Sequence, residues 1–595
     1  MQNDRKTLSH EMEELEDLKK LYLKILEDSV PHYESLWTEA KNAAPNAGFF
    51  DFRKYKNWRD KEYATFVIIP GNGTVSLSYS ALLKETNKGY FCRKRIPRFV
   101  ILEHAIKAIR WCCLTSAYVD KPYPFVPDVN RIIANGRQWF RPIGCRVDEI
   151  SHLMLTAAIL WDDLDQDTQK LVEDVAIGCA VRGRKCYSWD SRYGGNHDKV
   201  ILNLLSTIPA AYMFPNHKDH DKFMDQVRYA GIDMVGTMQD KKKGIVIDGK
   251  SMRDLIKAWN FYPDCTSDHN GFAHPYYGIH IVFEARNLLE IFAKIFNDSV
   301  PLTYTYPENN FGGVLQWAKT LFTDTGELAR PHGVEYDSYY GGAAVLAFSY
   351  GSTILKDKIS LCFEKVAAQL LYKHNQAIKQ YDYHSSYSIA ALAYLMHKFH
   401  DDIKDSSNSI SLKEASQSLS KVYHYKYQRC FVHRTIDKFV SFSWGTLHSK
   451  NTNKGFCGMV IPQSYNLPAE PLIYCHPNSL TGKLKLKIKP SKNFFPNFKS
   501  AIKQFVLKRW GELAVEKIGS VTEINGKKFG ESYLEKKSNE RNKKYIFDKT
   551  GFNTAEKVNW MESFESRFNW KISEYTLLKI YNECANGQNL AKKTK

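Results

Sequence analysis

The chain has 595 residues, of which 43% are hydrophobic, 13% aromatic and 25% charged, with a formal net charge of +18. This excludes a disordered or fibrous chain and supplies apolar mass for two or three domains. No run of eighteen apolar residues occurs, and Met1 to Ser9 lead into Glu11, Glu13, Glu14 and Glu16 where a signal peptide would be hydrophobic. The expectation is therefore a cytoplasmic protein with no membrane partner, secretion by another route being left open.

Taken in chain order, apolar residues recur at helical spacing from about Ser9 to Val422, in segments separated by polar, Gly or Pro breaks. The spacing predicts helices over Glu11 to Leu26, Phe99 to Ala117, Ile150 to Leu164, Thr168 to Val181, Val200 to Met213, His220 to Met238, Ile279 to Phe296, Val314 to Phe322, Ile354 to Tyr381 and Ser386 to Phe399. So many amphipathic faces exceed a simple bundle, and no fixed repeat period is present; a closed ring of helical hairpins, or a solenoid, would bury them. After Lys421 the period changes to two: Val440, Phe442 and Trp444 alternate with serines, and Leu484, Leu486 and Ile488 with lysines. Asn525-Gly526 between two short strand patterns predicts a hairpin. The expected organisation is a helical domain over 1–421, an antiparallel β-sandwich-like domain over 422–590 and a disordered tail at 591–595.

From Thr481 onward 25 Lys and Arg stand against 12 Asp and Glu, so +13 of the +18 lies in the last fifth of the chain. An acidic partner follows. No helix-turn-helix, zinc-finger or RNP pattern accompanies the charge, so no specific nucleic acid is expected, and lysines such as Lys483, Lys485 and Lys487 also suit the wet face of a sheet. The twelve cysteines show no CxxC pair and no zinc spacing. They read as buried thiols, with no metal and no cofactor implied.

Polar residues crowd two segments that feed apolar helices. The first, Tyr187 to Asp198, contains Trp189, Asp190, Arg192, Asn196 and His197; a helix start supplies free N–H groups that hold an anion, although Asn196 also suits a simple N-cap. The second, Tyr262 to Gly278, holds Asp264, Asp268, His269, His274, Tyr276 and Tyr277, which together offer acid, base and anion-binding groups. A third patch includes Arg330, His332 and Tyr339, suited to stacking and pairing with carboxylated sugar rings.

On Gly195-Asn196-His197-Asp198, on Asp264, Ser267, His269 and Tyr277-Gly278, and on Phe431-Val432-His433-Arg434 with Ser441 to Trp444, the chain resembles the heparinase II/III-like and chondroitin or hyaluronate lyase group of polysaccharide lyases. The resemblance spans about residues 90 to 490, with Met238 to Gly249 reading as an insertion. It implies an N-terminal (α/α) toroid of helical hairpins followed by an antiparallel β-sandwich, and β-elimination at a uronic acid of an acidic polysaccharide or oligosaccharide. Asn196, helped by His197, would neutralise the substrate carboxylate; His269 or His274 would be the base and Tyr277 the acid, with Tyr276 its competitor. Trp189, Arg192, Tyr276, Arg330, His332 and Tyr339 would bind substrate. Two other readings stay open: a glycoside hydrolase using a pair from Asp190, Asp198, Asp264 and Asp268, and a non-catalytic binder of acidic glycans. The sequence leaves the oligomeric state undetermined.

Overall fold

Asp17 caps the first described helix, its carboxylate accepting from the N–H groups of Lys19 and Lys20 at 3.1 and 3.3 Å. The structure is a computed structural model and describes residues 17–40, 46–52, 64–87, 89–92, 95–116, 118–119, 148–186, 197–256, 260–267, 273, 275–305, 308–324, 326–329, 331, 342–377, 384–400, 410–428, 430–436, 438–443, 457–462, 482–483, 522–524 and 527–529. It is mostly helical, with a few small antiparallel sheets. Among the described residues twelve helices have nine residues or more: α1 Leu18–Glu34, α2 Ala64–Glu85, α3 Arg98–Leu114, α4 Asp148–Ile159, α5 Gln166–Cys186, α6 His197–Met213, α7 His220–Val235, α8 Ile281–Ile295, α9 Glu308–Leu321, α10 Val345–Thr353, α11 Lys358–Ala377 and α12 His384–His400.

Periodicity alone does not reveal α2 and α10. All nine residues of α10 are buried, so it has no polar stripe against which an apolar one would stand out. Helix α2 contains Pro70, Gly71, Asn72 and Gly73, which read as a break. Packing explains two of them. A Cβ on Gly71 would lie 2.4 Å from the ring of Phe52, and Asn72 pairs with the backbone of Phe50, accepting from its N–H at 2.8 Å and donating to its carbonyl at 3.2 Å. The helix gives up propensity at these positions to let β2 (Gly48–Phe50), paired with β1 (Trp37–Glu39), approach it closely. A second short antiparallel pair, β3 (Phe91–Cys92) and β4 (Ile96–Pro97), precedes α3.

The helix contacts follow a regular order. Helix α2 packs on α4, α4 on α6, α6 on α8, α8 on α10, α10 on α12, and α12 back on α2. The odd-numbered helices attach to these: α1 lies against α2, α11 and α12, α3 against α2 and α4, α5 against α6, α7 against α6, α9 against α10, and α11 against α10. One continuous apolar core runs from Leu18 to Phe439. The stretch Met238 to Gly249 has its own fold. A short helix, Met238–Lys242, is closed by a capping box between Thr237 and Asp240, and the hairpin of β5 (Val246–Ile247) and β6 (Lys250–Ser251) covers a satellite cluster of Ile232, Ile247, Met252, Leu255 and Ile256.

After a short helix, Leu412–Ser418, the chain forms an antiparallel sheet ordered β11-β10-β9-β8-β7, with β7 Val422–Tyr425, β8 Cys430–Arg434, β9 Lys438–Ser443, β10 Cys457–Pro462 and β11 Gly482–Lys483. All five residues of β8 are buried, and on β9 Phe439 and Ser441 are fully inaccessible; the side chains of Val440 and Phe442, expected to alternate with the serines, lie outside the described ones. The burial of β8 comes from contact with helices, since it packs on α9. A separate pair, β12 (Thr522–Ile524) and β13 (Lys527–Phe529), sets Ile524 opposite Lys527, the register of the two-residue hairpin expected from Asn525-Gly526. The rest of the Lys483 to Lys489 ladder, most of the basic C-terminal part and residues 591–595 lie outside the described residues. No helix among the described residues is long and apolar enough to cross a membrane.

Candidate functional site

The start of α8 is irregular. Residues Tyr276–His280 form a single turn of π-helix before the regular helix begins at Ile281, a local geometry frequent at functional sites. The turn is pressed against its surroundings: a Cβ on Gly278 would lie 2.5 Å from Ser267 Oγ and 2.7 Å from the ring of Trp317 on α9. Glycine is therefore required there by contact.

His280 and Glu284 are four residues apart and share one face of the helix, and His152 of α4 reaches the same carboxylate. His152 Nε2 stands 2.9 Å from Glu284 Oε1, and His280 Nε2 3.7 Å from Oε2. All three are buried. Burial pulls His280 below the usual imidazole range; the Glu284 charge and the Ala343 carbonyl oppose that shift and His152 adds to it. The result is an imidazole that is neutral near pH 7. The ring of Tyr276 stacks over it, centroids 4.8 Å apart and planes at 23°, and Tyr277 meets Tyr276 edge to face at 5.3 Å. Both tyrosines are half-buried. A pair of phenols thus lies at the beginning of a helix, above a carboxylate that joins two imidazoles, where the helix terminus favours negative charge.

Helix α8 is buried on every side from Ile281 to Ala293, so its polar residues need internal partners. Arg286 pairs with Glu290 at 2.7 Å and lies 5.3 to 5.6 Å from the rings of Tyr304, Phe311 and Tyr350. Asn287 donates to Leu346 O and Ser349 Oγ, each at 3.0 Å.

The segment before the π-turn is also tightly built. Tyr262 and Thr266 close a turn, Tyr262 N–H donating to Thr266 O at 2.8 Å and Cys265 N–H to Tyr262 O at 2.9 Å. Cys265 sits at the left-handed φ of 57°, a conformation that costs a non-glycine residue about 1 kcal/mol or more. Burial raises the Asp264 carboxyl above its usual range, opposed by hydrogen bonds from Thr266 and by the backbone of Tyr427, and pushes the Cys265 thiol up to about 11.

Of the residues singled out in the sequence, the structure brings Tyr276 and Tyr277 together at the start of α8. His197 is the first residue of α6. Trp189, Arg192, Asn196, His269, His274, Arg330, His332 and Tyr339 lie outside the described residues, as do Asp190 and Asp268. The reading of the sequence passed over His152, His280 and Glu284. The spacing of His280 and Glu284 was visible, and so was the string of polar residues Glu284, Arg286, Asn287 and Glu290 around an otherwise apolar helix; a helix with no consistent solvent face must bury such groups. The contribution of His152, from 132 residues away in sequence, was not visible. Cys92, Cys112, Cys113, Cys179, Cys362 and Cys430 are buried free thiols, and Cys265 is a half-buried one. Among the described residues no group of three or more His, Cys, Asp or Glu is placed to hold a metal ion. No protein-family model matches the chain and no curated protein matches it.

Proposed function

We propose that the protein is a carbon–oxygen lyase that cleaves an acidic polysaccharide or oligosaccharide by β-elimination at a uronic acid. The observation that carries this reading is the tyrosine pair at the π-turn, set over His280, Glu284 and His152 at the beginning of α8.

The order of helix contacts supports a closed (α/α) toroid, with even-numbered helices inside and odd-numbered helices outside, and the five-stranded antiparallel sheet supplies one layer of the β-sandwich in this reading. In such a ring the inner helices run the same way, and their N-terminal ends collect on one face. Connections out of the even helices include the short stretches 160–165, 214–219 and 354–357, whereas 33, 45 and 23 residues of chain separate α4, α8 and α10 from the helices α3, α7 and α9 before them. Long connections are where binding residues accumulate on a rigid scaffold. The segments with Asn196, with His269 and His274, and with Arg330, His332 and Tyr339 each precede an even helix in the chain.

Removing the C5 proton beside a carboxylate builds a dianion unless that carboxylate is neutralised. Asn196, with His197 at the helix start, supplies the neutralising donors, each commonly worth about 3 kcal/mol. His269 or His274 takes the proton. Tyr277 protonates the leaving oxygen, since the ring of Tyr276 is committed to its stack on His280. His152, Glu284 and His280 are too buried to touch a sugar, and they position the tyrosine pair.

A hydrolytic reading rests on one observation: burial holds the Asp264 carboxyl above its usual range, the state a general acid needs. The test is to incubate the purified protein with acidic polysaccharides and oligosaccharides, following the ultraviolet absorbance of the new conjugated double bond together with reducing ends. Both signals should rise, and Tyr277→Phe should lower turnover by about 10²- to 10⁴-fold with the fold intact. Reducing ends without absorbance would replace elimination by hydrolysis, and full elimination by Tyr277→Phe would remove Tyr277 as the acid.

A further inference from the structure

The turn between β7 and β8 reaches into the helical part and grips the segment before the π-turn through Tyr427 and Gln428. The ring of Tyr427 stacks on Tyr262, centroids 5.6 Å apart and planes at 11°. The backbone of Tyr427 also lies beside the Asp264 carboxylate and favours its charged form. The Gln428 amide, itself buried, donates to the carbonyl of Ser267. These contacts surround the left-handed residue Cys265, so a strained turn is held from outside by a piece of the sheet. Ser267 in turn abuts Gly278, between Tyr277 and the rest of the π-turn, closely enough that a single added methyl would collide with its hydroxyl at 2.5 Å. A physical path therefore runs from Gln428 through Ser267 to the tyrosine pair.

We propose that Gln428 and Tyr427 are positioning residues: the β7–β8 turn sets where the 262–267 segment and the π-turn stand, and so couples the sheet to the site. The proposal rests on the lyase reading for its kinetic consequence only, because the clamp itself is measurable without a substrate. Hydrogen exchange of the Tyr262 and Cys265 amides should rise at least about tenfold in Gln428→Ala, with the amides of α5 unchanged. In elimination assays Gln428→Ala and Gln428→Glu should lower kcat about tenfold or more with KM within about threefold, as a displaced catalytic group does. The glutamate variant carries its own check. Its carboxylate repels the Ser267 carbonyl, but its protonated form donates as glutamine does, so its deficit against the unaltered protein should shrink as pH falls from about 8 to about 5.

Should Gln428→Ala fail to fold, Tyr427→Leu removes only the ring stack at a half-buried position and should give the same exchange signature. Unchanged exchange in 262–267, or raised exchange with kcat unaffected in a protein that does eliminate, would overturn the proposal. Raised exchange in a protein that eliminates nothing on the panel would uphold the clamp and overturn the lyase reading instead.

Discussion

At the scale of single residues, the molecule spends its buried charges on joining helices. Glu364 of α11 is fully inaccessible and accepts from Tyr22 of α1 at 2.9 Å, from Ser352 of α10 at 2.5 Å and contacts His397 Nε2 of α12 at 2.8 Å, so one carboxylate ties four helices. Burial and this carboxylate together hold the Tyr22 phenol well above its usual range, which keeps it a donor. Replacing Glu364 by Gln puts an amide N–H against one of these donors and should cost about 2 kcal/mol, read as a lower unfolding midpoint in denaturant. An unchanged midpoint would show that the network contributes nothing net. None of this was legible in the sequence. Glu364 sits in a helix whose neighbours Lys358, Lys365 and Lys373 suggest a wet face, and only tertiary contact separates a glutamate that joins helices from one that faces solvent.

At the scale of elements, helix and strand types were easier to read than their ends or their burial. The amphipathic α7 begins at His220 as the spacing predicts, and the Asn525-Gly526 hairpin has the expected register. Two helices escape the periodicity for opposite reasons: α10 because apolarity on all sides erases it, α2 because its glycine and asparagine answer to Phe52 and Phe50 of an earlier segment. The joint between sheet and helices was equally hidden. Arg434, at the end of β8, inserts its guanidinium into the C-terminal end of α9, donating to Lys319 O at 3.0 Å, to Thr320 O at 3.1 Å and to Phe322 O. The carbonyls of Lys319 and Thr320 lie in the last turn of α9, where no following helical N–H reaches them, and a cation complements the negative end of the helix dipole. Lysine has one point of charge where arginine has a fork, so Arg434→Lys should lose about 2–4 kcal/mol. Calorimetry would register it as a lower or split transition; a single transition at the original temperature would contradict the role given to Arg434.

At the scale of the whole molecule, stability should depend on pH through imidazoles that folding withdraws wholly or partly from water. His400 is lowered to about 4, first by burial and then by Lys294, Lys356 and Arg286, and His280 is lowered as well, chiefly by burial. An unfolded imidazole titrates near 6.5. Between about 6.5 and about 4 the unfolded chain binds protons that the folded chain does not, so the contribution is complete above that window and is lost as pH falls through it. The melting temperature should therefore drop between about pH 7 and about pH 4.5, and less steeply in His400→Gln; equal slopes would acquit His400.

The contact order of the helices also constrains how the protein comes into being. Helix α1 packs on α2, α11 and α12, and the hydrogen bond from Tyr22 to Glu364 spans 342 residues. A ribosome adding about 5 to 20 residues per second leaves the part of α1 that α11 and α12 cover waiting roughly 20 to 70 s for them to emerge. The newborn chain thus carries an uncovered greasy surface for most of its synthesis, which makes it a natural client of ribosome-associated chaperones and makes truncation before α12 a route to aggregation.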